Sequence, residues 1–384
     1  MGKLFPAGMN RRRFIGLTSV AGLAYGVLPP KLQAWSMGGY YTRDALARVN
    51  AHLPFHFDIE EQFDRPVINA RTATPGWSFE GCTAVKVAGL YRLFSNQYTL
   101  AHLGSGGSTR LTYWISHDGK QWQRKPMIIS PTVPGAKGFA TTPPWEATPV
   151  FDHRANCWYL FSVGYRGGDK IRLMVAKKQG YQQGIDGPWQ QVSGTIMRPG
   201  ADSQSWEGVQ GVDSFCPYQV HGRWYAMYGS SNWSPINPHP RWEIGLASAP
   251  ALRGPWKRCA GNPLQVEKVF WENPIVSRIG DWYVAVYDAV APGAPTYMYN
   301  GGHIAGYTCS KDGIHWLPGG RILVQPNGPA NWSSDLRTPT GLIPEGNGIY
   351  TMFYAAFEKG RHKRNPWLNY ESIGMVRLRI VWHR

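Results

Sequence analysis

The chain has 384 residues and a formal net charge of +16, with only 17% of its residues charged. Its 18 Trp, 20 Tyr, 45 Gly and 30 Pro describe aromatic strands broken by tight turns, in a chain long enough for a sizeable core. No segment after the first fifty residues sustains a helical period, and no nucleic-acid-binding motif accompanies the charge. An all-β protein with no nucleic-acid partner is expected.

In chain order, Asn10-Arg11-Arg12-Arg13-Phe14-Ile15-Gly16 precedes an apolar run that ends near Leu28. This pattern reads as a twin-arginine signal peptide over residues 1–34. The run falls short of the roughly 20 apolar residues of a membrane span. No stable membrane insertion is expected after cleavage, although Leu32-Gln33-Ala34 is a poor small-x-small site and leaves an uncleaved anchor open. The bland alternative is a basic tail beside a buried helix. Such a signal implies a bacterial protein that folds before export to the periplasm or beyond. Cys82, Cys157, Cys216, Cys259 and Cys309 are odd in number and match neither CxxC nor a metal motif, so buried strand cysteines without an essential disulfide framework are expected.

Part of the positive charge belongs to the signal, and the remainder favours anionic partners. Its densest patch is Lys359, Arg361, His362, Lys363 and Arg364. An acidic or sulfated glycan suits it, and a solvated loop is the alternative.

Residues 35–61 read as a lead-in with a short helix at Thr42 to Val49, and residues 62–384 as one periodic domain. Tyr91, Tyr159, Tyr225, Tyr283 and Tyr350 each lie in an aromatic strand and are spaced 58 to 68 residues apart. A third alternating strand follows each Tyr. In four units it leads to a Gly turn and a Trp, at Trp122, Trp189, Trp256 and Trp316, spaced 60 to 67 residues apart. Five units of about four short antiparallel strands predict a five-bladed β-propeller, whose radial closure protects the sheet edges. Phe63 to Ala70 is expected to supply a closing strand against the last blade. The repeated Tyr and Trp are read as packing between blades.

Some 11 to 13 residues before the repeated Tyr stand Glu80, Glu146, Asp213 and Glu272, with Arg337 and Thr338 in the fifth unit. The innermost strands begin there and line the mouth of the central channel. Clustered carboxylates repel and raise one another's pKa, a cost with little use in a purely structural protein. Glycoside hydrolysis uses such a set, with a protonated acid for the leaving oxygen and an ionised base for water. A cation held by these acids is the alternative.

The arrangement resembles glycoside hydrolase family 43 and its five-bladed relatives in families 32, 62, 68 and 117. Val212-Asp213-Ser214-Phe215 before Gly222-Arg223-Trp224-Tyr225 resembles the third-blade motif that tunes the acid. Trp271-Glu272-Asn273-Pro274 before Gly280-Asp281-Trp282-Tyr283 resembles the fourth-blade acid motif. Trp145-Glu146-Ala147-Thr148-Pro149 resembles the second-blade segment, and His303 sits where the family often has a substrate-site His. The resemblance covers about Asp64 to the C-terminus. It implies Glu272 as acid, Asp213 as its tuner and Glu80 as base. The family base is an Asp followed by Pro, whereas Gly81 follows Glu80, so Asp64 competes for that role.

An inverting mechanism is implied, with the Glu80 and Glu272 carboxyls about 6.5–9.5 Å apart. Substrate contacts are expected from Glu146, His303, Arg337 and aromatics near the mouth, among them Trp77, Trp145, Trp206, Trp233 and Trp271. The substrate is an oligo- or polysaccharide, anionic on the charge argument. No cofactor is required and no protein metal site is assigned, with a structural Ca2+ in the central channel kept open. Two other readings stand beside this one: a non-catalytic glycan-binding propeller, and a phosphorylase or transglycosylase on the same fold.

Overall fold

Each repeat opens on an apolar strand and turns back through residues able to take left-handed backbone. Ala88-Gly89, His221-Gly222 and Asn347-Gly348 all have both residues at positive φ, the geometry of a tight hairpin that matches strand twist. The structure, a computed structural model, describes residues 43–99, 109–127, 129–130, 145–164, 170–192, 194–208, 211–231, 241–268, 270–290, 303–324, 332–333, 335–357 and 370–383. The export signal, Trp233 and the Lys359 to Arg364 patch lie outside the described residues, as do the side chains of Cys82, Trp145 and Arg337.

The described strands form five sheets in a propeller ring, antiparallel except where Ile129–Ser130 adds in parallel to Trp189–Gln191 in blade two. Blade one runs Trp77–Val87, Leu90–Thr99, Thr109–Ser116 and Gln123–Lys125 from the axis outward, and blade two starts at Trp145–Asp152. Blades three and four start at Asp213–Val220 and Trp271–Ile279. Blade five has a divided inner strand, Asp335–Pro339 and Ile343–Gly346, both paired with Ile349–Phe357. Among the described residues no helix is long and apolar enough to cross a membrane.

The closing strand differs from expectation. Phe55–Gln62 pairs with Ser372–Trp382, Phe55 opposite Trp382, and completes blade five from the N-terminal side. Phe63 to Ala70 adds only the isolated bridge Ile68–Ile373 and its neighbouring bonds. The physical reason lies in the pattern: Phe55, Phe57 and Ile59 alternate with polar residues, whereas Pro66 interrupts the later segment. The lead-in helix is Arg43–Asn50. Its last residue docks on blade four, where Asn50 Nδ2 donates to the Arg321 carbonyl at 3.0 Å and Asn50 Oδ1 accepts from the Arg321 amide at 2.8 Å.

The repeated aromatics pack between blades, as their spacing predicts. Tyr91 meets Phe353 edge-on at 5.7 Å, Tyr218 meets Tyr283 at 5.8 Å, and Phe161 meets Phe215 at 5.2 Å. The Gly turns are held by side chains. Asp118 accepts from the amides of Lys120 and Gln121, and Asp312 from those of Ile314 and His315. Three blades share a further device: Tyr228, Tyr287 and Tyr354 lie directly across from Gly245, Gly306 and Gly374. A Cβ on Gly306 or Gly374 would collide with the facing ring, so these glycines are packing residues. Cys157, Cys216 and Cys309 are buried on strands.

Polar latches join the elements. Glu267 takes Arg321 in a fork at 2.6 and 2.9 Å and accepts from Tyr287 at 2.5 Å. Blade three repeats the triad, with Arg258 on Glu207 at 2.5 and 2.8 Å and Tyr228 on the same carboxylate at 2.8 Å. Between blades five and one, Glu345 binds Lys86 at 2.6 Å, Tyr91 at 2.5 Å and Thr351 at 2.8 Å.

Burial pushes the Glu345 carboxyl up, but these bonds outweigh it and hold it below its usual value of 4.5. A carboxyl depressed by folding stabilises above its unfolded-state pKa, and the contribution is lost as pH falls through the folded one. The melting temperature should therefore drop more between about pH 6 and pH 3 in the wild type than in Glu345→Gln. Equal drops would contradict the latch.

Candidate active site

All five inner strands bulge near their first residues. Register shifts fall between Phe79 and Cys82, Trp145 and Thr148, Asp213 and Phe215, Glu272 and Ile275, and Leu336 and Thr338. A bulge re-aims side chains and often sits beside a functional site. In three blades the bulge places a non-glycine residue in left-handed backbone: Glu146 at φ 51, Ser214 at φ 48 and Asn273 at φ 55. Such conformations cost about 1–3 kcal/mol each and persist only where the surroundings enforce them.

These residues turn toward the axis. Glu146, Ser214 and Asn273, with Gly81 and Thr338, help line a small cavity reached by all five inner strands. Ser214 Oγ donates to Asn273 Oδ1 at 2.7 Å and lies 3.5 Å from Glu146 Oε1. A Cβ on Gly81 would stand 3.2 Å from Glu146 Cγ and 3.0 Å from Asn96 Oδ1, so the glycine leaves room for the Glu146 side chain.

This geometry divides the four acids that spacing had grouped. Glu146 occupies the left-handed position of Ser214 and Asn273, so the counterpart of Asp213 and Glu272 in blade two is Trp145. Glu80, Asp213 and Glu272 stand at the bulges of three blades and are 2%, 0% and 0% exposed. Glu146 is half-buried and faces the channel. Asp64, the competitor of Glu80, is exposed beyond the end of the closing strand. Of the two, Glu80 is the one on an inner strand.

Burying a carboxylate is costly unless it is protonated or paired. Asp213 Oδ1 accepts from the Ser214 amide at 2.9 Å. Glu272 lies directly across from Asp288 on the second strand of blade four. Asp288 is 0% exposed, and its Oδ1 is 2.9 Å from His303 Nδ1 on the third strand. Phe270 packs edge-on against the His303 ring at 5.4 Å. Glu272, Asp288 and His303 thus form one buried group across three adjacent strands.

Asp288 is the member of this group that spacing does not find. Its signal is an acid inside the apolar strand Trp282–Val290, where an acidic residue is rarely buried without a partner.

The aromatics divide as well. Trp271 is 1% exposed and packs edge-on against Tyr287 at 5.2 Å, so it offers no ring face to a sugar. Trp206 is buried against Tyr228 at 5.3 Å. Trp77 is half-buried at the start of the blade-one inner strand and carries the Arg110 guanidinium 4.0 Å over its ring.

Among the described residues no group of three or more His, Cys, Asp or Glu could hold a metal ion. The channel offers oxygen donors suited to a hard cation, with Glu146 as ligand and Ser214, Asn273 and Thr338 as neutral partners. Ca2+ takes about six to eight oxygens, and a single carboxylate makes a weak site by charge.

No protein-family model matches the chain, and no curated protein matches it. Solved structures do. BT0996, solved as an RGII complex, superposes with a TM-score of 0.62 at 13% identity, over 88% of this chain and 95% of that one. Zg3597, a family 117 glycoside hydrolase from the marine bacterium Zobellia galactanivorans, gives 0.56 at 14% identity over 86% and 96%. A thermostable family-43 glycoside hydrolase gives 0.51 at 13% identity over 79% and 93%. At such identities the likeness is one of fold: the chain has the five-bladed propeller architecture of these structures.

Proposed function

We propose that the chain is a glycoside hydrolase that cuts an oligo- or polysaccharide by a single-displacement, inverting reaction. One observation carries this reading: Glu80, Asp213 and Glu272 stand at the bulges of three inner strands, at the same end of the propeller axis. Glu272 donates a proton to the glycosidic oxygen, Glu80 takes one from water, and Asp213 keeps Glu272 protonated and oriented. Burial favours the neutral form of a carboxyl, which is the form a general acid needs. Asp288 and His303 support Glu272 from the neighbouring strands. Glu146, facing the channel, and Arg337 bind substrate hydroxyl or acidic groups.

The positive charge of the chain supports an anionic glycan, and one neighbour was solved as an RGII complex. The Arg11-Arg12-Arg13 motif supports twin-arginine export from a bacterial cytoplasm to the periplasm or medium. The mechanism is tested by proton NMR during the first minutes of hydrolysis. An inverted anomer is expected, and a retained anomer would overturn single displacement.

A second reading has its own observation. Exposures of 0% to 2% for the three acids suit a propeller that binds glycan without cutting it. It predicts binding with no reducing-end release.

A further inference from the structure

At the acid end of blade one the third strand carries Arg110 near its start, and among the described residues no carboxylate answers its charge. Arg92, Arg258 and Arg321 each reach an acid, at Asp186, Glu207 and Glu267. Arg110 instead donates its Nε to Gln97 Oε1 at 2.8 Å and lays its guanidinium over Trp77. The influences on its charge are burial first and then the repulsion of Arg124, which together pull its pKa down to about 10.

The support under Arg110 is rigid. Gln97 is 0% exposed and sits between Phe79 and Arg110 in the sheet. Its Nε2 donates to Thr74 Oγ1 at 3.3 Å, and that hydroxyl bonds the Ala70 carbonyl at 3.1 Å. With Nε engaged and one face on the indole, the two Nη groups remain as a planar fork. Such a fork matches a planar carboxylate in two parallel charge-assisted hydrogen bonds. A half-desolvated cation over an aromatic ring also gives up less hydration when it meets an anion.

Position fixes which sugar is read. Trp77 precedes Glu80 by three residues, about 10 Å along the strand, and Arg110 lies two strand spacings outward, again about 10 Å. Such a separation suits a sugar beside the one that would sit at Glu80.

We propose that Arg110, steadied by Gln97 and Trp77, is a subsite for the carboxylate of a uronic acid in the bound glycan. The assignment rests on the glycan reading above and narrows its substrate class.

The test uses the full chain and oligosaccharides of galacturonate, glucuronate and mannuronate, each beside its methyl ester, with binding measured by calorimetry. At least one acid form should bind about tenfold or more tighter than its ester, the worth of a charged hydrogen-bonded pair. Arg110→Gln should abolish that preference by weakening the acid form far more than the ester. Arg110→Lys, which keeps the charge and loses the fork, should restore it only in part. Equal binding of acid and ester throughout the set, no binding at all, or an undiminished preference in Arg110→Gln would each overturn the subsite. The acid preference should persist in Glu272→Gln. If the wild type shows the preference without cutting any glycan, the subsite stands and the hydrolase reading falls.

Discussion

Glu272→Gln is expected to slow hydrolysis of an unactivated glycoside by about 10²–10⁴-fold, the usual worth of a positioned acid. The amide matches the carboxyl in shape, so the fully buried site keeps its packing across from Asp288. What is lost is the proton for the leaving oxygen. An aryl glycoside with an acidic leaving phenol needs that proton less and should lose far less rate, so the ratio of the two losses identifies the step. A variant with unchanged turnover on the unactivated glycoside would remove Glu272 from the mechanism. Equal losses on both substrates would point to a displaced fold instead, which a melting curve would reveal.

Glu267→Ala should cost about 3–5 kcal/mol of stability, because it strands a buried guanidinium. The Arg321 and Glu267 side chains are 7% and 11% exposed, and Tyr287 loses its acceptor in the same change. Three roles fail together: the fork to Arg321, the tyrosine bond, and the base on which Asn50 docks through the Arg321 backbone. Glu207→Ala in the sister latch, where Arg258 and Glu207 are 5% and 1% exposed, should cost less, because Arg258 keeps Asp202 at 2.6 Å. By contrast, the Arg379–Glu60 pair is 46% and 42% exposed, and removing it should cost at most about 1 kcal/mol. Urea midpoints of the three variants compare the costs directly. Similar small losses in all three would show that the buried latches add nothing beyond surface pairs.

The five-fold repeat was legible because each blade needs an aromatic on its second strand to fill the wedge between neighbours. Tyr91 and Tyr283 do this in the structure as their spacing suggests. The site was harder to read for a specific physical reason. Counting back from the Tyr assumes a regular ladder, yet every inner strand bulges between the Tyr partner and the acid. One extra residue in a strand changes which side chain faces the axis. Hence Glu146 was grouped with Asp213 and Glu272, although its structural companions are Ser214 and Asn273.

Asp288 escaped for a different reason. It lies on a second strand, and only its cross-strand pairing with Glu272 and its bond to His303 give it meaning. The glycines facing Tyr228, Tyr287 and Tyr354 were hidden because glycine in a sequence reads first as a turn. Their pairing with a ring appears only in the register. The closing strand shows the opposite case: its alternation is plain in Phe55, Phe57 and Ile59, whereas the segment from Phe63 is broken by Pro66.

Cleavage of glycosidic bonds by this propeller is a proposal that one assay can decide. The most direct measurement is reducing-end release by the purified full chain across plant, algal and bacterial polysaccharides, with uronate-rich members included. Release is expected from at least one polysaccharide, and none from the same polysaccharide with Glu272→Gln. Measurable binding without release from any of them would contradict the claim and leave a glycan-binding propeller in its place.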